Sequence, residues 1–340
     1  MEIMFSIVIL TKNSLEVVSD LVDVLFSQDF SYPYEIIFMD NNSTDGTVDY
    51  LQSVKRKNSA VQIVHVPEGK FSHSGTRMQA VGMARGKFIV FFTDDVVPIG
   101  SCFLERLTRP VREGKAAAAY GVFQIGGARQ FDPIDAYIHN DHYKIYRDFS
   151  EPLTEYCWSL LLPPTRRILS NFDNCASCIK KNVLLEQKLP PIPYGEDMIF
   201  AKNLILSGYR VAHVKDAKFY HWHKVKFSYM MKRMCIDQHL SIPEFDLYYI
   251  SSIRGFFKNI VTRVIHRTFV GLFRAKIPFW KRFYWIGYNG KVLVADFLGK
   301  YIGTLDESKL RGIFAPLKRK LYGKKIKIVE EIESKSILRY

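Results

Sequence analysis

The chain alternates short apolar runs with segments of helical period, and that alternation limits its fold more than any other feature. Residues 5–10 (F-S-I-V-I-L) read as a first strand; beyond Thr11, Lys12 and Asn13, Leu15, Val18, Leu21, Val22 and Leu25 recur at helical spacing. Residues 35–39 (E-I-I-F-M) read as a second strand, which delivers Asp40, a polar loop and a helix carrying Val48 and Leu51. A third strand, residues 61–66, leads through F-S-H-S-G-T-R to a helix with Met78, Val81 and Met83, and residues 88–92 (F-I-V-F-F) make a fourth. Parallel strands need a crossover between them, and helices in those positions supply it. The expected class is α/β, with a mostly parallel sheet flanked by helices.

The fourth strand stops abruptly at Thr93, Asp94 and Asp95. In open α/β sheets ligands bind outside the carboxyl ends of the strands, although two aspartates ahead of Pro98 also suit a plain turn. Carboxylates recur in the same setting: Asp40 follows the second strand, and Glu196 and Asp197 follow the rigid loop P-P-I-P-Y-G, ahead of a helix over residues 198–207. Three such sets at one edge point to a site, and a cluster of hard oxygen ligands suits Mg²⁺ or Mn²⁺. For Glu196 and Asp197 the competing role is that of first-turn acids favoured by the helix dipole. Strands are further expected over residues 116–123, 174–179 and 209–214, with an irregular, aromatic-rich insertion between the first two that faces substrate.

The 340 residues, 48% hydrophobic and 24% charged, are ordinary for a folded globular protein. The start of the chain lacks a basic segment and a cleavage site, and no apolar run of about 18 residues appears; the expected location is cytoplasmic. Five cysteines with one C-x-x-C (Cys175 and Cys178) fit buried thiols better than a zinc site, which needs four ligands. The net charge is +14. Between Arg254 and Lys327 stand 18 Lys and Arg against three acids, a net of +15, which leaves −1 for everything else.

Taken in order, S-I-V-I-L-T-K-N, D-N-N-S-T-D-G-T, F-x-T-D-D-x-x-P and Gly195-Glu196-Asp197 resemble the inverting family 2 glycosyltransferases of the GT-A fold, over roughly residues 5–223. F-S-H-S-G-T-R, Y-G-E-D, His221-Trp222-His223 and Gly299-Lys-Tyr-Ile-Gly303 look most like the rhamnosyltransferase branch, which uses a dTDP-linked L-sugar.

The resemblance implies a role for each matched residue. Thr11 and Asn13 line the nucleotide pocket, and Asp40 accepts the imide N–H of a uracil or thymine. Asp95 binds the metal, Mn²⁺ or Mg²⁺. Thr93 stands where the family has its first aspartate, and Asp94 faces the nucleotide sugar. Arg77, with the N–H groups near Gly75 and Thr76, meets the diphosphate, where negative charge develops as it leaves. His221 or His223 completes the metal shell or touches phosphate; ordinary strand-end histidines are the competing role. Asp197 is the general base for the acceptor hydroxyl, and Glu196 raises its proton affinity by like-charge repulsion. Asn171, Asn174 and Trp222 are acceptor-site candidates, with a solvated loop and simple packing as their competing roles.

The implied partners are a dTDP- or UDP-linked donor and a glycan or lipid-linked acceptor. A catalytic domain over residues 1–242 would be followed by a basic, aromatic-rich, mainly helical region over 243–340. That region, with its Lys318-Arg-Lys320 run, suits either peripheral attachment to an anionic membrane surface or a lid packed on the core with a solvated basic face. A nucleic-acid-binding protein is the alternative from another class. It has no reading motif and its charge is confined to one part, so no nucleic-acid partner is expected. A nicotinamide oxidoreductase would need G-x-G-x-x-G where Thr11, Lys12 and Asn13 stand.

Overall fold

The computed structural model describes residues 2–127, 131–140, 147–192 and 194–305. The C-terminal part of the expected basic region, including Lys318–Lys320, lies outside the described residues.

Four parallel strands, β1 (Phe5–Thr11), β2 (Tyr34–Asp40), β3 (Val61–His65) and β4 (Phe88–Thr93), form one half of the sheet in the order β3-β2-β1-β4. The crossovers are α1 (Leu15–Phe26), α2 (Thr47–Lys57) and α3 (His73–Met83), as the periodicity requires. Strand alternation divides the core. Ile7, Ile9, Phe38, Val90 and Phe92 pack with Val18, Leu21 and Leu51 on one face, while Val8, Ile37, Met39 and Phe91 pack with Ala80 and Val81 on the other. Burial on both faces is why these strands read as unbroken apolar runs.

The second half adds β5 (Val97–Pro98), α4 (Phe103–Arg112), β6 (Ala118–Gln124), α5 (Pro133–His139), β7 (Phe149–Ser150), α6 (Glu155–Leu160), α7 (Pro163–Leu169), β8 (Ala176–Lys180), α8 (Lys181–Gln187), α9 (Glu196–Leu206) and β9 (Val211–Tyr220). The sheet continues β4-β8-β6-β9-β5. β8 is antiparallel to both β4 and β6, so the sheet is mixed. The chain reaches β8 from the carboxyl edge, so β8 has to run away from it. The carboxyl ends of β1, β2, β4, β6 and β9 therefore share one edge with the residues that lead into β8.

Three longer helices complete the described chain: α10 (Phe227–Phe245), α11 (Ile253–Phe269), which continues into a wide π-type turn at Val270–Arg274, and α12 (Phe279–Thr304). The boundary expected near residues 241–244 falls inside α10. α10 and α12 touch backbone to backbone: a Cβ on Gly299 would meet Met231 O at 2.3 Å, and one on Gly303 would meet Cys235 O at 2.7 Å. The G-K-Y-I-G motif is thus a packing device. The C-terminal helices are also tied to α5, since Asn289 Nδ2 donates to Asp132 Oδ2 at 2.6 Å and Arg267 bonds both Asp135 and Asn289.

Gly299→Val should destabilise the protein by about 1–3 kcal/mol in urea unfolding, because backbone cannot move aside as a side chain can. Gly287→Ala, on the same helix with nothing within 4 Å of the new Cβ, should be neutral or stabilise by up to about 1 kcal/mol.

Candidate active site

The shared edge gathers the carboxylates that the sequence singled out, each for a local reason. Asp40 ends β2 fully buried. Its Oδ1 accepts from Thr11 Oγ1 at 3.2 Å and Ser43 Oγ at 2.6 Å, and its Oδ2 accepts from Ser43 N at 3.0 Å. Asn13, at a left-handed φ of 48°, gives its N–H to Ser43 Oγ and takes Thr44 N–H on Oδ1, both at 2.8 Å. Thr11, Asn13 and Asp40 therefore fasten the loop after β1 to the loop after β2. Asp40, expected to accept the imide N–H of a base, here accepts from Thr11 and Ser43.

Asp94 and Asp95 diverge despite being adjacent. Asp94 is turned inward, where its Oδ2 accepts Lys12 N–H at 3.2 Å. Burial, reinforced by the charge of Asp95, pushes its carboxyl up to about 7. Burial also opposes ionisation of Asp95, but His221 and then His223 overrule it and hold that carboxyl well below the usual range. His221 Nε2 and His223 Nδ1 lie 3.2 Å and 3.4 Å from Asp95 Oδ2. This convergence depends on β5, which carries the chain beyond Asp95 across the end of the sheet to pair with β9, Val97 with Tyr220 and Pro98 with Phe219.

One carboxylate and two imidazoles lie close enough together to share a single cation. Among the described residues neither the buried Asp95 Oδ1 nor His221 Nε2, though close to Asp95, has a hydrogen-bond partner. Lone pairs that converge without satisfying one another fit a cation between them. Two nitrogen donors to one oxygen donor favour Mn²⁺ over Mg²⁺, which prefers an all-oxygen shell. Trp222 faces the other way, its ring 6.3 Å from that of Trp285 among Ile134 and Val270. Side chains alternate along extended backbone, so the histidines and the tryptophan of this tripeptide cannot share a direction. The acceptor role expected for Trp222 gives way to packing.

Arg77 also differs from expectation. Its guanidinium, only 3% exposed, pairs with Glu196 at 2.9 Å and lies over the Phe91 ring. The N–H of Gly75 is taken by the capping Ser72 Oγ at 3.0 Å, and that of Thr76 by Ser72 O. The cation at the edge that sequence reasoning missed is Lys12, whose ammonium rests on the carbonyls of Asn41 and Asn42. The signal was present in T-K-N directly after β1.

Glu196 and Asp197 open α9 behind Gly195, at φ 75°. A Cβ there would meet Leu240 of α10 at 2.4 Å, so glycine is required twice over. Asp197 is partly buried and accepts Met198 N–H at 2.8 Å. Burial first, then the charges of Glu196 and Asp173, push its carboxyl up to about 7. Asp173, in the turn before β8, acts on His221 as well as on Asp197, which makes the acid pair and the triad one electrostatic unit. In the same turn Asn171 Nδ2 donates to the Tyr120 hydroxyl at 3.2 Å, while the buried Asn174 Nδ2 has no partner.

Residues 6–185 match the model of "Glycosyl transferase family 2", more than half of the chain. The chain belongs to that family. This family 2 chain is 25% identical over 203 residues to the O-antigen chain rhamnosyltransferase WbaN of Salmonella anatum, covering 58% of the chain and 59% of that protein. It is 33% identical over 91 residues to the poly(ribitol-phosphate) beta-glucosyltransferase of Bacillus spizizenii, covering 26% of the chain and 14% of that protein. The matched stretches thus span less than two thirds of these relatives. The mannosyltransferase PcManGT from Pyrobaculum calidifontis, solved with GDP-Man and Mn²⁺, shares the fold at a TM-score of 0.52 and 14% identity, covering 98% of this chain and 82% of that one.

Two outcomes follow for the site. Adding Mn²⁺ should raise the melting temperature of the wild type, and Asp95→Ala or His221→Ala should remove the rise, as mass action requires of a ligand bound only to the folded state. Arg77→Met strands a buried carboxylate and should lower stability by about 3–5 kcal/mol in urea unfolding, most of which Glu196→Gln in the same chain should restore.

Proposed function

We propose that this chain is an inverting glycosyltransferase. It moves a sugar from a nucleoside diphosphate, by preference L-rhamnose from dTDP-rhamnose and otherwise a sugar from UDP, to a hydroxyl of a glycan or lipid-linked glycan in surface polysaccharide synthesis. The family supports the reaction class, and the activities that name WbaN and the Bacillus relative support the class of acceptor. The observation that carries the reading is Asp197: a carboxyl pushed up to about 7 stands at the sheet edge and is joined through Asp173 to Asp95, His221 and His223.

The residues divide the work. Asp197 takes the proton of the acceptor hydroxyl as that oxygen attacks the anomeric carbon from the face opposite the diphosphate. The bond from carbon to diphosphate breaks, and the sugar is transferred with inversion. A base titrating near 7 is matched to neutral pH, where it is sufficiently ionised and still basic enough to accept the proton. Asp95, His221 and His223 would hold a divalent cation, which when bound neutralises charge on the departing diphosphate. Lys12 adds positive charge at the same edge. Arg77 offsets Glu196, so that Glu196 does not drive the proton affinity of Asp197 still higher. Asn171 and Asn174, beside Asp173, are the acceptor contacts.

Asp197→Asn should lower transfer by about 10²–10⁴-fold while thermal shifts with dTDP or UDP in Mn²⁺ persist; turnover at the wild-type rate would remove Asp197 as the base. Because the base works deprotonated, log kcat should climb with pH below about 7 and level off above it. A profile flat from pH 5.5 to 8 would count against the assignment.

A further inference from the structure

α11 is a helix whose apolar surface the other described residues leave uncovered. Of its 17 residues only Phe256 is buried. Phe257, Val261, Ile265, Phe269 and, in the wide turn, Phe273 recur every fourth residue and are 47–69% exposed. The start of α12 continues the patch with Phe279, Trp280 and Phe283, 68–77% exposed. Single exposed apolar side chains are ordinary, but a continuous series marks a surface with a partner. Residues 253–284 also contain eight Lys and Arg and no acid, and Arg254, Lys258, Arg274, Lys276 and Lys281 are exposed beside the apolar positions.

We infer that this face seats in the headgroup layer of an anionic lipid bilayer. Charge selects the occupant. A second copy of the chain would bring two acid-free cationic faces together, which like-charge repulsion opposes. A bilayer with acidic headgroups offers negative charge outside and an apolar layer beneath, matching both components of the face. The contact is interfacial, since no helix among the described residues is long and apolar enough to cross a membrane.

The same surface is joined to the site. Lys224 lies over the Tyr284 ring at 5.1 Å, Val225 N–H donates to the Tyr288 hydroxyl at 3.0 Å, and Trp222 packs on Trp285. The segment that carries His221 and His223 is therefore fastened to the first turns of α12. Seating the face on lipid presents the catalytic edge to a lipid-linked acceptor, and this use of the contact rests on the function proposed above.

The test is co-sedimentation of the full chain with vesicles of phosphatidylcholine alone or with about 30% phosphatidylglycerol, without donor or acceptor. Binding should require phosphatidylglycerol and fall as salt rises. Trp280→Ser/Phe283→Ser and, separately, Lys276→Glu/Lys281→Glu should each weaken it about tenfold or more with unchanged melting temperature. Failure of the wild type to bind anionic vesicles would overturn the inference, as would variants that bind equally well. A lipid-free dimer dissolved by Trp280→Ser/Phe283→Ser would assign the face to a second copy and overturn it too. Because no sugar substrate is present, a chain that transfers sugar but ignores vesicles would sink this inference alone.

Discussion

Two residue pairs of backbone, Val97 with Tyr220 and Pro98 with Phe219, hold the candidate site together. β4 and β9 are separated in the sheet by β8 and β6, too far apart for side chains at their ends to meet directly. β5 closes that gap by leaving β4 at once and pairing beyond β9, with Ile99 N–H on Lys218 O adding a further bond. Asp95 is drawn along the way to the two histidines. A hydrogen-bonded strand end is stiff, so it holds these three side chains in place.

The electrostatics depend on that stiffness. Carboxylates packed out of water resist ionisation, and the edge answers this differently at each position. Asp95 has imidazoles, Glu196 has Arg77, and Asp94 has only backbone and hydroxyl partners. Among the described residues Asp197 forms no ion pair, and burial with the charges of Glu196 and Asp173 keeps its proton affinity raised. The departure from the family pattern at Thr93 is compatible with this division, since Asp95 is met by the two histidines that follow β9 and not by the residue at 93.

The first half of the fold was legible because strands buried on both faces write uninterrupted apolar runs, with helical spacing between them. The carboxylates of the shared edge were legible for the same reason, standing where those runs end. The reversal of β8 was not, since A-S-C-I-K carries no mark of direction; direction comes from where α7 leaves the chain. α4 escaped notice because Pro110 and three arginines obscure the spacing of Leu104, Leu107 and Val111. Arg77 was placed on phosphate by motif order alone, although it lies one turn inside α3, on the side facing α9. Trp285, on which Trp222 packs, lies more than sixty residues further along, beyond the reach of any local pattern.

The close passage of α12 over α10 reaches past packing. α10 begins just after His223, covers Gly195 ahead of Asp197 through Leu240, and receives Gly299 and Gly303 against its backbone. A change in any one of these surfaces is felt by the other two. Divergence among relatives in acceptor or membrane preference would therefore have to remodel α10 and α12 together, as a single inherited unit, while the four parallel strands at the start of the chain stay free to be kept as they are.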